Sequence, residues 1–528
     1  MQAPRIPAAP TGRASIPAPL DRPPPGQAGR LWPFLIAAAL VSVPLVVQTV
    51  QTRWSTDAWL HAASILELSE HPFDPGHPTV ASAAGDPELS PYALLWGVVH
   101  RATGAPVLTI MTVAGIVNLA ALWSGLWMLA TRLTRARLAP AFSVLAVLLV
   151  WGFGPWRWSG YPNLNSLGYG LPYPSFAALA GYLVAVALFL DWRRDPRWSR
   201  AWAIAVLGAL VTLVHPITGA ALALALGTLL VVGARGNRPP GRVMLTQLAL
   251  PAIVAVIIVV AWPLYSFTAL FENAGSYTDA NARVLRQVVP RAALGLACLP
   301  VAVVMGRRRD DWRLVALALP PLVLVATGVA LDTPVLGRFM PFGLLPLQIA
   351  VADAVAGAVP RGAILRGPRL ATGAALALLG LFGTASAIPS MVPEPLLPSR
   401  LRTDDRIASI RDEAIAIDGV HGDVVVIAPQ NSVARALLTS GAKLVNPLYA
   451  TPELDDVDSR TEAVTGFLEA SPDRRQQIIE EYGVTYLVLT DRAAAQVDLA
   501  VFGDSARRVD GLVVVRLDAP GGDDPQVP

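Results

Sequence analysis

LWPFLIAAALVSVPLVVQTV (Leu31–Val50) is followed at once by QTRWSTDAWLH (Gln51–His61). The first stretch is apolar and has the length, about 20 residues, that a helix needs to cross a bilayer. It is too long for a signal-peptide core and no A-x-A cleavage pattern follows it, so it reads as an anchor that stays. In the second stretch an acid, Asp57, and an imidazole, His61, stand four residues apart at what becomes a membrane edge. Polar groups are expensive there and are functional candidates by default.

The pattern repeats outward from this point. The chain has 528 residues, 54% of them hydrophobic and 15% charged, whereas a soluble domain is about 25% charged. Ten further apolar runs lie near 104–130, 138–155, 172–190, 200–215, 217–233, 243–270, 288–305, 313–331, 338–358 and 369–391. Eleven spans are therefore expected. Arginine supports the count, because every second connection is rich in it: Arg132, Arg135 and Arg137; Arg193, Arg194, Arg197 and Arg200; Arg235, Arg238 and Arg242; Arg307, Arg308, Arg309 and Arg313; Arg361, Arg366 and Arg369. The positive-inside rule then places the N-terminus inside and, with an odd count, the C-terminus outside.

The longest outward connection is 51–103. It holds His61, His71, His77 and His100, four of the six histidines. Asp57–Glu70 and 91–102 read as two helices lying on the outer surface, with Trp54 and Trp59 at the headgroup level. Residues 1–30, rich in Pro, Ala and Arg, read as a disordered cytoplasmic tail. From 395 charges become frequent and helical patterns alternate with short apolar strands. Helices are expected at 403–417, 432–439 and 460–482, and strands at 423–427, 443–445, 485–489 and 512–515. This is the pattern of a small α/β domain. The expected fold is thus a polytopic α-helical membrane protein: a tail (1–30), a transmembrane domain (31–394) and an extracytoplasmic α/β domain (395–528).

Composition closes several routes. Cys298 is the only cysteine, so no disulfide framework or cysteine metal site exists. No Gly-rich nucleotide motif and no basic run with interleaved aromatics appears, so neither a nucleotide nor a nucleic acid is expected. The histidine spacings in 51–103 match no tight zinc motif. No metal ligand set and no cofactor are assigned, and a divalent metal is left open.

The span centres are nearly free of charge; Asp353, in the inner half of its span, reads as a cap or a packing residue. Polar groups gather instead at the outward helix ends, at Asp57, His61, Arg157, Tyr161, His215, Glu272, Asp279, Arg283, Arg286, Asp332 and Arg338. Asp57 and His61 share a helix face by spacing. They read either as a cap with an interfacial filler or as a general base with a neighbour. Arg338 reads either as a snorkelling cation or as a phosphate clamp. Arg283 and Arg286 suit a solvated face as well as a clamp. His215-Pro216 breaks two spans. Residues 154–175, rich in Trp, Tyr, Gly and Asn, suit either membrane anchoring or stacking on sugar rings.

One span, a long outward loop opening with an acid, two interfacial helices, many further spans and an outward α/β domain together resemble the GT-C superfamily of integral-membrane glycosyltransferases. Trp54–His61 resembles the start of that family's first loop, and Ser90-Pro91-Tyr92 its second interfacial helix. Arg460-Thr461-Glu462 through Glu481–Val488 is similar to the tails of bacterial members. The resemblance implies a polyprenyl-phosphate-sugar donor, a glycan or glycolipid acceptor, and a place in the bacterial plasma membrane. It puts Asp57 where the family's catalytic acid lies. Asp57 has no acidic neighbour, and 156–171 contains no Asp or Glu, so a metal-dependent mechanism of the oligosaccharyltransferase kind is not implied.

The expected activity is sugar transfer by inverting single displacement. Asp57 is the base, Arg338 with Arg283 or Arg286 receives the donor phosphate, and His61, His215, Arg157 and Tyr161 orient substrate. Two other classes compete, a lipid or glycan flippase and a non-catalytic envelope scaffold. A flippase needs a polar path through the spans. A scaffold predicts that Asp57, His215 and Arg338 lie on separate surfaces.

Overall fold

A computed structural model describes residues 27–517 apart from 55–56, 233–240, 273–277, 359–367, 423, 450, 452, 503–504, 510 and most of 384–418. The tail before residue 27, the helix expected at 403–417 and the 394/395 boundary lie outside the described residues.

Each of the eleven apolar runs is helical. In chain order the helices are α1 (Gln27–Val50), α2 (Ala58–Glu70), α3 (Pro91–Thr103), α4 (Val107–Leu133), α5 (Ala139–Leu149), α6 (Leu164–Gly170), α7 (Pro174–Arg194), α8 (Trp198–Val214) and α9 (Pro216–Val231). They continue with α10 (Gly241–Val260), α11 (Ala269–Glu272), α12 (Thr278–Leu285), α13 (Val288–Leu296), α14 (Leu299–Arg309), α15 (Arg313–Ala330), α16 (Met340–Ala358) and α17 (Pro368–Gly383). Among the described residues, six helical stretches are long and apolar enough to cross a membrane: 29–50, 107–133, 174–194, 288–309, 313–330 and 334–357. Five more apolar helices are shorter. The chain is a multi-pass membrane protein.

Local sequence sets the breaks. Pro174 and Pro216 open α7 and α9 at the position where a missing N–H costs nothing. The run expected over 288–305 is split at Ala297–Cys298, just before Pro300. The run expected over 138–155 stops as a helix at Leu149, ahead of Gly152 and Gly154. α7 packs along α4 and α8, and α16 lies against α5 and α15. α10 leaves Leu250, Ile253, Val256, Ile257 and Val260 exposed, a face suited to lipid.

One end of the bundle is tied by arginines. Arg30 donates to Thr134 Oγ1 at 2.8 Å. Arg132 holds Asp191 through two bonds of 2.9 and 2.5 Å, and Arg193 donates to the Leu229 carbonyl at 2.5 Å. Asp353 is fully buried there. It accepts the backbone N–H groups of Arg135 and Ala136 at 3.1 and 2.8 Å and pairs with Arg309. It ties helix ends together, the structural role its position suggested.

The opposite end carries the loop 51–103 and a five-stranded sheet. The strands are β1 (Val425–Ile427), β2 (Lys443–Leu444), β3 (Val484–Thr490), β4 (Ala506–Val509) and β5 (Leu512–Arg516), in the order β2-β1-β3-β5-β4. β1 runs parallel to β2 and β3, while β5 is antiparallel to β3 and β4. β4 was not expected; its three leading residues are exposed and carry no apolar alternation. Strand periodicity divides the faces. Val425, Ile427, Leu487, Leu489, Val513 and Val515 face a cluster with Ala463, Phe467 and Ile478. Val426, Val488 and Val514 face the membrane-side helix α2.

Three expectations are corrected. The single helix expected over 460–482 is two helices, α19 (Val457–Gly466) and α20 (Pro472–Tyr482). α18, at Asn431–Leu438, precedes them. The break falls where Ser471 caps the second helix and Pro472 begins it. α2 does not lie on an open surface: ten of its thirteen residues are buried, because the sheet and α18 cover it. For the same reason Trp54 and Trp59 are buried rather than set among headgroups.

Loop and sheet form one unit. Val80 makes a parallel bridge to Leu444, and the Leu444 N–H donates to the Thr79 carbonyl at 2.7 Å. Lys443, the chain's single lysine, reaches Glu67 of α2 at 2.5 Å and donates to the His77 carbonyl at 2.8 Å. The Tyr449 hydroxyl donates to Asp86 at 2.8 Å, and Asp86 also faces His77 at 3.2 Å.

Candidate active site

Four connections meet beneath the sheet: the start of α2, the segment 157–173, the α8–α9 turn and the short 3-10 helix Pro334–Phe339. Asp57 occupies the N-cap position of α2, yet its carboxylate makes no capping hydrogen bond. It is exposed. A capping role therefore does not account for it.

His61 follows one turn later. Its Nδ1 lies 2.9 Å from Glu88 Oε2, and its ring sits edge-on to Tyr173 with centroids 4.6 Å apart. Burial disfavours its charged form, but Glu88, and further off Asp57, outweigh burial and hold His61 above the ordinary imidazole value.

His215 is held differently. Its Nε2 faces Arg338 Nη2 at 3.3 Å, and its Nδ1 lies 2.8 Å from Thr218 Oγ1. A guanidinium can only donate, and the Thr218 backbone N–H donates to Nδ1 at 3.3 Å, so donors face both ring nitrogens and oppose the imidazolium. Burial, then the positive Arg338, then His61 push His215 down to about 3. The two neighbouring histidines are thus shifted in opposite directions, His61 up and His215 down, a separation typical of working sites.

Arg338 is fixed on several sides. It donates to Asn281 Oδ1 at 3.2 Å and lies 5.2 Å from the Trp158 ring centroid. The preceding residue, Gly337, accepts from the Tyr161 hydroxyl at 2.9 Å. A Cβ on Gly337 would come within 2.8 Å of both Val284 and Leu285 of α12, so the segment carrying Arg338 is packed tightly. Asp57 and Tyr161 both interact electrostatically with Arg338, and His61 does so with His215. Asp57, His61, Tyr161, His215 and Arg338 accordingly form one cluster.

Three expected residues stand apart. Arg157 is exposed, with its guanidinium 4.7 Å from the Tyr169 ring centroid. Arg283 and Arg286 are exposed, on α12 and just beyond it. Sequence reading missed Glu88, Tyr173, Asn281 and Trp158 as partners. Glu88 had one weak signal, an acid two residues ahead of the Ser90 cap of α3. Among the described residues no three His, Cys, Asp or Glu side chains gather to hold a metal ion.

A groove of about 300 Å³ opens between α7, α8, α9 and α10. Its lining includes Gly208, Thr212, Gly219, Leu222, Pro251 and Ala255. Thr212 and Gly219 are about one helical turn from His215 on either side, so this apolar groove ends next to the polar cluster.

No protein-family model matches this sequence, and no curated protein matches it. Solved structures do. An arabinofuranosyltransferase, AftD from Mycobacteria, aligns with 87% of this chain at a TM-score of 0.50 and 16% identity. The aligned part is 36% of that longer protein. The archaeal oligosaccharyltransferase AglB from Archaeoglobus fulgidus, in complex with an inhibitory peptide and a dolichol-phosphate, aligns with 89% of this chain and 70% of its own at a TM-score of 0.47 and 13% identity. Over most of this chain the fold is similar to that of the arabinofuranosyltransferase.

Proposed function

We propose that the protein is a membrane glycosyltransferase that moves a sugar from a polyprenyl-phosphate donor to a cell-envelope glycan or glycolipid. In this reading eleven spans cross a bacterial plasma membrane with the N-terminus inside. The site and the α/β domain at 395–528 face outward, opposite the arginine-tied end. The observation that carries the reading is the convergence of Asp57, His61, His215 and Arg338 about one helical turn from the lining of an apolar groove. A scaffold has no use for such a cluster, and no polar path of the kind a flippase needs motivates that alternative.

The chemistry follows from the placement. Asp57 takes the proton of an acceptor hydroxyl, the oxygen attacks the anomeric carbon, and the bond from that carbon to the phosphate oxygen breaks. The electron pair leaves with the polyprenyl phosphate, and the configuration inverts. The donor phosphate carries one negative charge and the departing polyprenyl phosphate two, so a fixed cation stabilises the product side more than the ground state. Arg338 supplies that cation, and neutral His215 orients it. The lipid tail lies in the groove beside α10. Half-buried Trp158 offers its ring to the sugar, while Tyr161, fully buried against Trp151 and Trp156, acts only by steadying the segment that carries Arg338. Arg157, Arg283 and Arg286 line the approach for an anionic headgroup.

The test is sugar transfer in membranes supplied with polyprenyl-phosphate-linked sugars and envelope glycan acceptors. The intact protein transfers one of these sugars with inverted configuration. Transfer with retained configuration, or full activity of Asp57→Asn, overturns the reading.

A further inference from the structure

Glu88 belongs to the long loop, not to a helix, and no motif marks it, yet its carboxylate directly contacts a histidine of the cluster. Its Oε2 lies 2.9 Å from His61 Nδ1. Both groups are largely withdrawn from water, with side-chain exposures of 11% for His61 and 29% for Glu88. The loop itself is fixed on either side of Glu88. Asp86 Oδ1 accepts the Glu88 N–H at 2.8 Å, and Trp262 Nε1 donates to the Leu89 carbonyl at 3.2 Å.

With Nδ1 committed to Glu88, the remaining ring nitrogen decides what His61 can do. Nε2 makes no hydrogen bond among the described residues. The charged groups that face the ring are Glu88 from the loop before α3, Asp57 at the cap of α2, and His215 from the α8–α9 turn with Arg338 behind it. Tyr173 from α7 supplies an uncharged edge. Glu88 is the nearer of the two carboxylates, and a protonated His61 pairs with it.

We propose that Glu88 is a positioning residue. It holds His61 as an imidazolium, with Nδ1–H on its own carboxylate and Nε2–H left for a phosphate oxygen, so that His61 and Arg338 grip the donor phosphate together. The inference rests on the lipid-phosphate reading above and extends it to a second cation and the acid that maintains it. The pairing follows the general logic by which a carboxylate fixes the tautomer and raises the basicity of an imidazole. The direction of His61's shift agrees with it.

The test has two readouts on the full-length protein in lipid nanodiscs. The first is the pH profile of diethyl pyrocarbonate modification at His61, resolved by mass spectrometry, which reports the neutral imidazole and needs no ligand. The wild-type midpoint lies above the ordinary histidine value; Glu88→Gln lowers it by a unit or more, and Glu88→Asp restores most of the shift. The second is affinity for undecaprenyl phosphate at pH 7. Glu88→Gln and His61→Gln each weaken binding by about tenfold, the size of one charge-assisted hydrogen bond, and the double variant is no weaker than His61→Gln alone. A midpoint that does not move in Glu88→Gln overturns the assignment of Glu88. A midpoint that falls while both variants bind undecaprenyl phosphate as the wild type does overturns the clamp. A wild type that shows the expected midpoint but binds no undecaprenyl phosphate overturns the lipid-phosphate reading and the clamp with it.

Discussion

Arg338 Nη2 points at His215 Nε2 across 3.3 Å, joining two residues 123 positions apart in the chain. Each explains the other's state. Burial and then the guanidinium hold the imidazole below its ordinary value, and the imidazole lone pair gives the guanidinium a fixed direction. Asp57 lies within electrostatic reach of the same guanidinium.

Asp57→Asn keeps the shape of the side chain and removes its basicity. The expected loss in turnover is about 10²- to 10⁴-fold, the range for a general base. Any structural role of the carboxylate shows instead as a shift in thermal unfolding. A sugar-transfer assay beside a melting curve separates the two effects.

Arg338→Lys retains charge but not the fork that spans Asn281 and His215, nor the stacking over Trp158. Arginine and lysine are not equivalent at such a site. Donor affinity is expected to fall about tenfold or more while acceptor affinity holds, as titration of each ligand separately would show.

His215 is neutral in the folded protein and, once unfolded, titrates near 6.5. The folded state therefore binds fewer protons than the unfolded state below that pH. Stability attributable to His215 is complete above about 6.5 and declines as pH falls toward about 3. His61 has the opposite sign. Its contribution is complete below the unfolded value and is lost as pH rises through its raised folded value. Melting curves of His215→Gln should lose part of the acid sensitivity, and those of His61→Gln part of the alkaline sensitivity.

The Lys443–Glu67 pair tests how the sheet is docked. Both side chains are buried, and removing one partner strands the other. Lys443→Met alone should cost about 3–5 kcal/mol, whereas Lys443→Met with Glu67→Gln should recover most of it. Proteolysis of the 425–516 region reads the docking directly: it should be fast in the single variant and slow in the double.

Much of the architecture was legible because it depends on period and composition. Eleven apolar runs and the alternation of arginine-rich connections are properties of the chain read in order, and each run is helical. The ends of the runs were less legible. The break at Ala297–Cys298 and the early stop at Leu149 depend on packing as well as on Pro300 and Gly152. α2 was misjudged because its partner lies far along the chain: α18 packs on it, and Val426, Val488 and Val514 of the sheet belong to the same buried cluster.

The site divides in the same way. Asp57, His61, His215 and Arg338 were visible as costly polar groups at helix ends, since burying or desolvating a charge near a membrane selects against accident. Trp158 and Tyr173 were visible only as part of the aromatic segment 154–175, and Glu88 and Asn281 were not, because an acid or an amide in a loop or on a short helix has no local mark of its use. By itself the sequence determined that the chain crosses a membrane many times and where its ionisable groups are scarce, because hydropathy and charge are summed locally. Only the tertiary structure decided that residues 57, 61, 88, 215 and 338 cluster together and that their surroundings push the two histidines in opposite directions, His61 up and His215 down. Those properties come from contacts between connections hundreds of residues apart, and the energies that shift a proton arise only when the charges are brought within a few ångströms of each other and away from water.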